Sequence, residues 1–170
     1  MTYSIVFSSM TGNTAALADR LHSLLPAESC LYFGETSREA VSIDADITFV
    51  GFWTDKDSCD SLTRVFLKKL HNRTVVLFGT AGYSSDPEYF RQVLNAAARQ
   101  ANVSNTVLPG FMCLGKMRPE VKAKCEAELS IDPENTKAKG FLEKYAEAES
   151  HPDEDDFRAL ADWVNGFMLS

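Results

Sequence analysis

At 170 residues the chain is long enough to bury a core without disulfide or metal staples, and 45% hydrophobic with 24% charged residues is an ordinary globular balance. The formal charge of −7 argues against nucleic acid, whose binding is dominated by phosphate neutralisation, and suits an electrostatically steered encounter with a basic partner. No apolar run approaches the roughly 18 residues of a membrane span.

In chain order, Ser4 to Ser8 reads as a short apolar strand with no basic leader pattern before it, so a cytoplasmic protein is expected. Thr14 to Leu25 follows with Leu17, Leu21 and Leu24 at helical spacing. Ser29 to Phe33 is a second strand, and residues 34–44 are too short and polar to predict a helix. Ile47 to Trp53 is a near-continuous apolar run, the mark of a strand covered on both faces. A helix from Ser61 to Leu70, a strand from Thr74 to Phe78, a helix from Pro87 to Ala101 and a strand from Thr106 to Leu114 come next. The last helix runs from Phe157 to Met168, with Phe157, Leu160, Ala161, Val164 and Phe167/Met168 inward.

Strands separated by helices imply parallel pairing through right-handed crossovers. Five such strands fit an α/β, doubly wound, five-stranded parallel sheet; by match to a known pattern the expected order is 2-1-3-4-5, with ligands beyond the carboxyl ends of strands 1 and 3. Residues 1–170 are expected to form a single domain. Residues 115–151 break the alternation and read as a helical hairpin inserted between strand 5 and the last helix. Pro119 opens one helix, Asp132-Pro133-Glu134-Asn135 turns the chain, and Ala138, Phe141, Leu142 and Tyr145 mark a second. Such a hairpin either covers a sheet edge or acts as a lid or docking surface. The acidic run Asp153-Glu154-Asp155-Asp156 suits the positive end of the last helix, with Ser150 as its cap and Pro152 in its first turn.

The most informative residues lie between strand 1 and helix 1. Ser8-Ser9-Met10-Thr11-Gly12-Asn13-Thr14 combines hydroxyls, an amide and a flexible glycine at a helix N-terminus. There, backbone N–H groups and the helix dipole favour an anion. No Lys or Arg is present in the loop, so it predicts a neutral cradle holding a terminal phosphate by many hydrogen bonds. The Walker and Rossmann glycine patterns are both absent. The C-x5-R of low-molecular-weight tyrosine phosphatases is missed by one residue at Cys59–Arg64 and at Cys113–Arg118.

The string Ser9-Met10-Thr11-Gly12-Asn13-Thr14 closely resembles the FMN-phosphate signature of the flavodoxin family, and the strand–helix order extends that resemblance over most of the chain. The resemblance implies a flavodoxin-like fold, non-covalent FMN and low-potential electron transfer. It assigns Ser9, Met10, Thr11, Gly12, Asn13 and Thr14 to the phosphate. Flavodoxins usually place an aromatic after strand 3, often as T-W. Here Trp53 precedes Thr54, and Trp53 either stacks on the flavin or packs in the core. Thr54, Asp55 and Lys56 are expected at the ring edge. The loop Thr80-Ala81-Gly82-Tyr83 offers backbone contacts and Tyr83 as a second stacking aromatic. Met117 or the insertion would cover the ring.

Asp55, Asp57 and Asp60 would place negative charge near the flavin and lower its reduction potential. His22, His71 and His151 form no catalytic constellation, no catalytic residue is assigned, and no metal is expected. Cys30, Cys59, Cys113 and Cys125 include no C-x-x-C pair and read as buried, reduced thiols. The leading expectation is therefore a flavodoxin-like electron carrier that delivers electrons to a partner reductase and docks basic surfaces on its acidic face. The alternatives are an FMN-dependent oxidoreductase reducing a small molecule such as a quinone, and a flavin-free interaction module. The string Gly51-Phe52-Trp53-Thr54-Asp55-Lys56 and the long insertion also resemble flavodoxin-like proteins encoded beside gut-bacterial bilirubin reductases.

Overall fold

The computed structural model describes residues 1–168. Strand β1 (Tyr3–Phe7) is buried along its length and leads into α1 (Asn13–Leu24), whose Leu17, Ala18 and Leu21 face inward. A 3-10 turn (Ala27–Ser29) precedes β2 (Cys30–Glu35), which alternates half-buried and exposed residues as an edge strand does. The polar stretch after it does contain a helix, contrary to expectation. It is α2 (Arg38–Ser42), a single short turn held by Ser37 Oγ, which accepts from the Ala40 N–H at 3.1 Å.

Strand β3 (Ile47–Asp55) is followed by β4 (Ser58–Cys59), α3 (Ser61–Lys69), β5 (Thr74–Ala81), α4 (Pro87–Ala98) and β6 (Thr106–Leu114). Five strands pair in parallel in the order β2-β1-β3-β5-β6. This is the predicted order, but the sheet has six strands rather than five. After β3 the chain doubles back through Lys56 and Asp57, both at positive φ (48° and 58°). Such a pair of left-handed residues is what a two-residue hairpin turn demands. It lets β4 pair antiparallel with the end of β3, Thr54 opposite Cys59 and Asp55 opposite Ser58.

Strand side chains alternate between two cores. Ile5, Phe49, Val76 and Phe78 pack on one face against α1 and Leu160 and Val164 of the last helix. Val6, Val50, Phe52 and Leu77 pack on the other against α2, α3 and α4. Each fully buried Ile, Val, Leu or Phe contributes roughly 1.5–3 kcal/mol, so both layers anchor the sheet end from which the loops emerge. Of the four cysteines, Cys59, Cys113 and Cys125 are buried and Cys30 is half-buried; none is in a disulfide.

The insertion is the predicted hairpin, α5 (Pro119–Ile131) and α6 (Thr136–Ala148). Pro119 sits in the first turn of α5, and Asn135 Oδ1 caps α6 by accepting from the Ala138 N–H at 3.0 Å. The last helix, α7 (Glu154–Met168), carries Glu154, Asp155 and Asp156 in its first turn as expected, but its cap is different. Asp153 Oδ1, not Ser150, accepts from the N–H groups of Asp155 and Asp156, and Pro152 precedes the helix rather than entering it. His151 Nδ1 lies 2.6 Å from Asp156 Oδ2. Burial alone would lower the His151 pKa, but the Asp156 hydrogen bond and the charges of Asp156, Asp153 and Glu147 outweigh it and raise it. The Met168 side chain, expected inward, lies outside the described residues. Among the described residues no helix is long and apolar enough to cross a membrane.

Candidate cofactor site

The loops after β1, β3 and β5 converge at the carboxyl ends of the central strands, the position where doubly wound sheets bind ligands. In the first loop Gly12 takes φ 88°, a left-handed conformation that turns the chain into α1. Ser9 Oγ accepts from the Ala15 N–H at 3.2 Å, and the first helical backbone bond is from Ala16 N–H to the Gly12 carbonyl. Between these, the N–H groups of Met10 to Thr14 have no acceptor among the described residues. Five undirected donors at a helix N-terminus are the equipment of an anion site.

Two side chains pin this loop in place. Thr14, 1% exposed, donates through Oγ1 to the Phe52 carbonyl of β3 at 3.2 Å. Asn13 donates through Nδ2 to the Lys116 carbonyl at 2.9 Å, across 103 residues of sequence. Its Oδ1 is buried without a partner, an acceptor aimed at nothing the chain supplies. Gly115 is what lets the crossing strand come so close: a Cβ there would lie 2.7 Å from Asn13 Nδ2 and 2.9 Å from Thr80 Cβ.

Beside the loop opens a cavity of about 540 Å³, within the usual size of a cofactor pocket. Met10, Thr11 and Asn13 form one side, and Trp53, Thr54, Asp55 and Lys56 form the hairpin side. Thr80, Gly82 and Tyr83 come from the third loop. Thr54 Oγ1 donates to the Thr80 carbonyl at 2.8 Å and ties the second loop to the third. Trp53 is half-buried and reaches the cavity despite the reversed order, because the last three residues of β3, Trp53 to Asp55, are all only half-buried and border open space.

Four predicted site residues stand behind this wall. Ser9 serves the backbone of α1, Gly12 supplies the turn, and Thr14 is committed to β3. Ala81 is a core strand residue whose carbonyl accepts from the Gly115 N–H at 3.0 Å. Asp60, expected beside the flavin, does not line the cavity, although its N–H donates to the carbonyl of the wall residue Trp53 at 3.2 Å. It is 1% exposed and caps α3, with Oδ1 accepting from the N–H groups of Leu62 and Thr63 and Oδ2 from the Thr63 hydroxyl.

Several cavity residues carry no local sequence signal. Tyr89 of α4 faces the cavity and donates its hydroxyl to Asp57 Oδ1 at 2.9 Å. Burial first, and the Asp57 hydrogen bond and charge second, push the Tyr89 pKa up, so it stays a donor. Arg118, Val121, Lys137 and Phe141 come from the inserted hairpin, and Lys116 from its approach. The loop expected to be a neutral cradle carries no cation, but the cavity beside it does. Its wall carries Lys56, Lys116, Arg118 and Lys137 against Asp55 and Asp57. Tyr83 fastens the hairpin down. Its ring lies 5.5 Å from Phe141, Lys144 Nζ sits 4.3 Å over it, and the same Nζ donates to the Tyr83 carbonyl at 3.1 Å.

His151, Asp153 and Asp156 bring donor atoms within 4.8 Å of one another, but their oxygens already serve as the cap of α7.

The geometry agrees with what the chain is similar to. A flavodoxin-domain family model matches residues 4–165. The flavodoxin-like domain-containing protein BilS of Clostridium symbiosum (strain WAL-14163) is 34% identical over 94% of this chain and 92% of its own. The BilS of Clostridioides difficile (strain CD3) is 29% identical over 97% and 95%. Among solved structures, a Lactobacillus acidophilus flavoprotein in complex with FMN aligns over 66% of this chain and 93% of its own, with TM-score 0.51 and 12% identity. The Streptococcus pneumonia TIGR4 flavodoxin aligns over 88% and 99%, with TM-score 0.50 and 17% identity. With the strand order, the amide-lined loop and a family match spanning nearly the whole chain, this protein belongs to the flavodoxin family.

Proposed function

We propose that this protein holds FMN non-covalently in the cavity and passes its electrons to a partner reductase. The flavodoxin family fold is an FMN-binding one. The observation that carries the reading is the run of unengaged N–H groups from Met10 to Thr14 beside a cavity walled by Trp53, Tyr83 and Tyr89. The loop amides and the Thr11 hydroxyl would hold the phosphate. Trp53 and Tyr83 would contact the flavin faces, while Thr54, Asp55, Lys56 and the 80–83 loop would meet its edges. FMN supplies the redox chemistry, and the chain supplies position and electrostatics.

Titrating FMN into the unloaded protein is expected to quench flavin fluorescence, with riboflavin binding more weakly because it lacks the phosphate. No quenching, together with no flavin retained on purification, would sink the redox reading and favour a flavin-free interaction module. The partner we assign is a reductase of the bilirubin reductase type, supported by the BilS name of the relatives and the resemblance of the 51–56 string. Adding the loaded, reduced protein to such a reductase should speed its turnover, and an unchanged rate would remove that partner. A second reading, direct reduction of a small molecule, draws on the hairpin residues Val121 and Phe141, which shape the same cavity. Steady turnover with NADPH and a quinone in the absence of a partner would favour it over the carrier.

A further inference from the structure

The net charge of −7 suggests a basic partner; the charge at the cavity mouth suggests the reverse. Lys56, Lys116, Arg118 and Lys137 all border the cavity and all are exposed. None takes part in an ion pair among the described residues. Against them the same wall holds Asp55 and Asp57, and Asp57 is engaged by the Tyr89 hydroxyl. The hairpin acids Glu120 and Glu149 line an adjoining cavity, which Lys116 and Arg118 also border, and not this one.

The hairpin is not basic overall, and its Glu147, three residues past Lys144, accepts from the Ser85 hydroxyl at 3.0 Å; its cations nonetheless group in pairs. Arg118 and Lys122 are four residues apart at the start of α5, and Lys137 and Lys144 seven apart on α6, so each pair shares a helical face. Arg118 and Lys137 reach the cavity, Lys144 lies over Tyr83 on its wall, and Lys122 lies over the ring of Tyr145. Exposed like charges that outnumber the acids on the same wall and form no ion pair raise the local potential and repel one another. A partner that brings carboxylates relieves that repulsion.

We propose that the hairpin's cationic face and Lys56 form a docking surface for an acidic face of the redox partner, placed around the point where electrons leave the cavity. The inference rests on the electron-carrier reading and names the chemistry of its partner. A focused positive mouth on an otherwise negative protein also orients the encounter. An acidic surface is then drawn toward the cavity mouth, which favours productive contact.

The first test needs no flavin. Poly-L-glutamate, a stand-in for an acidic protein surface, should bind the unloaded protein at low ionic strength and release as salt rises. Arg118→Glu/Lys137→Glu should abolish binding, and the neutral Arg118→Gln/Lys137→Gln should weaken it. Lys124→Glu, off the cavity wall, should leave it unchanged. Citrate at matched carboxylate concentration should bind far more weakly, since one small anion cannot span the mouth. In a second test, the FMN-loaded, photoreduced protein gives one electron to each ferricyanide ion, forming ferrocyanide. That rate should be on the order of tenfold higher at low than at high ionic strength, and hexaammineruthenium(III) should show the opposite trend. Absence of poly-L-glutamate binding, equal loss in Lys124→Glu, or citrate binding as tightly would each overturn the docking surface. So would a ferricyanide rate that rises with salt. A protein that binds poly-L-glutamate but takes up no flavin would instead overturn the electron-carrier reading.

Discussion

Two regions border the same cavity and are built by opposite means. The loop from Ser9 to Thr14 does its work within one turn of chain: amides, a left-handed glycine and a helix N-terminus are contiguous. The α5–α6 hairpin brings its residues to the cavity through distant contacts, Lys116 to Asn13, Phe141 and Lys144 to Tyr83, and Glu147 to the Ser85 hydroxyl. The first region is neutral and rich in unengaged backbone donors, the second charged and exposed. A phosphate needs fixed geometry, whereas a docking surface needs a field, and fields tolerate mobile side chains. One cofactor site can therefore keep a local family signature while a remote insertion resets its surroundings.

The joint between the two regions is where the comparison breaks most readily. Gly115→Val would drive a side chain into Asn13 and Thr80. An overpacking cost of about 1–3 kcal/mol should lower the urea midpoint, and FMN affinity should fall with it. Unchanged affinity would show that the loop does not depend on the hairpin's approach. Asp60→Ala removes the cap of α3 and should cost about 1–2 kcal/mol of stability while leaving FMN affinity unaltered. A shifted flavin potential at unchanged stability would return Asp60 to the flavin's electrostatics.

Thr11→Val sharpens the local side. FMN affinity should drop about fivefold, the roughly 1 kcal/mol of one hydrogen bond, and riboflavin affinity should not change. Equal losses for both ligands would contradict the phosphate assignment. Lys144→Met sharpens the remote side. It removes a cation–π contact of about 0.5–1 kcal/mol, so limited proteolysis should cut the hairpin sooner while the FMN–riboflavin preference persists. The smallest effect concerns the chain just past the hairpin. Because the folded His151 pKa is raised, its ion pair stabilises the protein fully below about pH 6.5, the unfolded value, and that contribution fades as pH rises through the folded value. Melting temperatures of the protein and of His151→Gln should differ at pH 6 and converge by pH 9.

Legibility followed the range of the interactions. The strand–helix alternation, both hairpin helices and the amide loop were readable because each rests on periodicity or on neighbours a few residues apart, whereas the strand order came from matching that alternation to a known fold. The short antiparallel strand at Ser58 and Cys59 was not, since it depends on Lys56 and Asp57 both adopting positive φ without a glycine to announce it. The capping role of Asp60 was not legible for a related reason: three aspartates close together in sequence look alike, and only the start of α3 turns one of them inward as a cap. Ser150 lost its expected role because Asp153 stands closer to the first free amides of α7.

By itself the sequence determined the alternation of the sheet and the chemistry of residues 9–14, because both are properties of adjacent residues. It also carried enough of the family pattern to point to FMN. Only the tertiary structure decided which charges face the cavity. Lys116, Arg118 and Lys137 have no local signature and are scattered among acids of similar number, and their exposure to the site follows from how the hairpin docks on Tyr83 and Asn13. Electrostatic potential at a point sums over charges by distance in space, and distance along the chain does not enter.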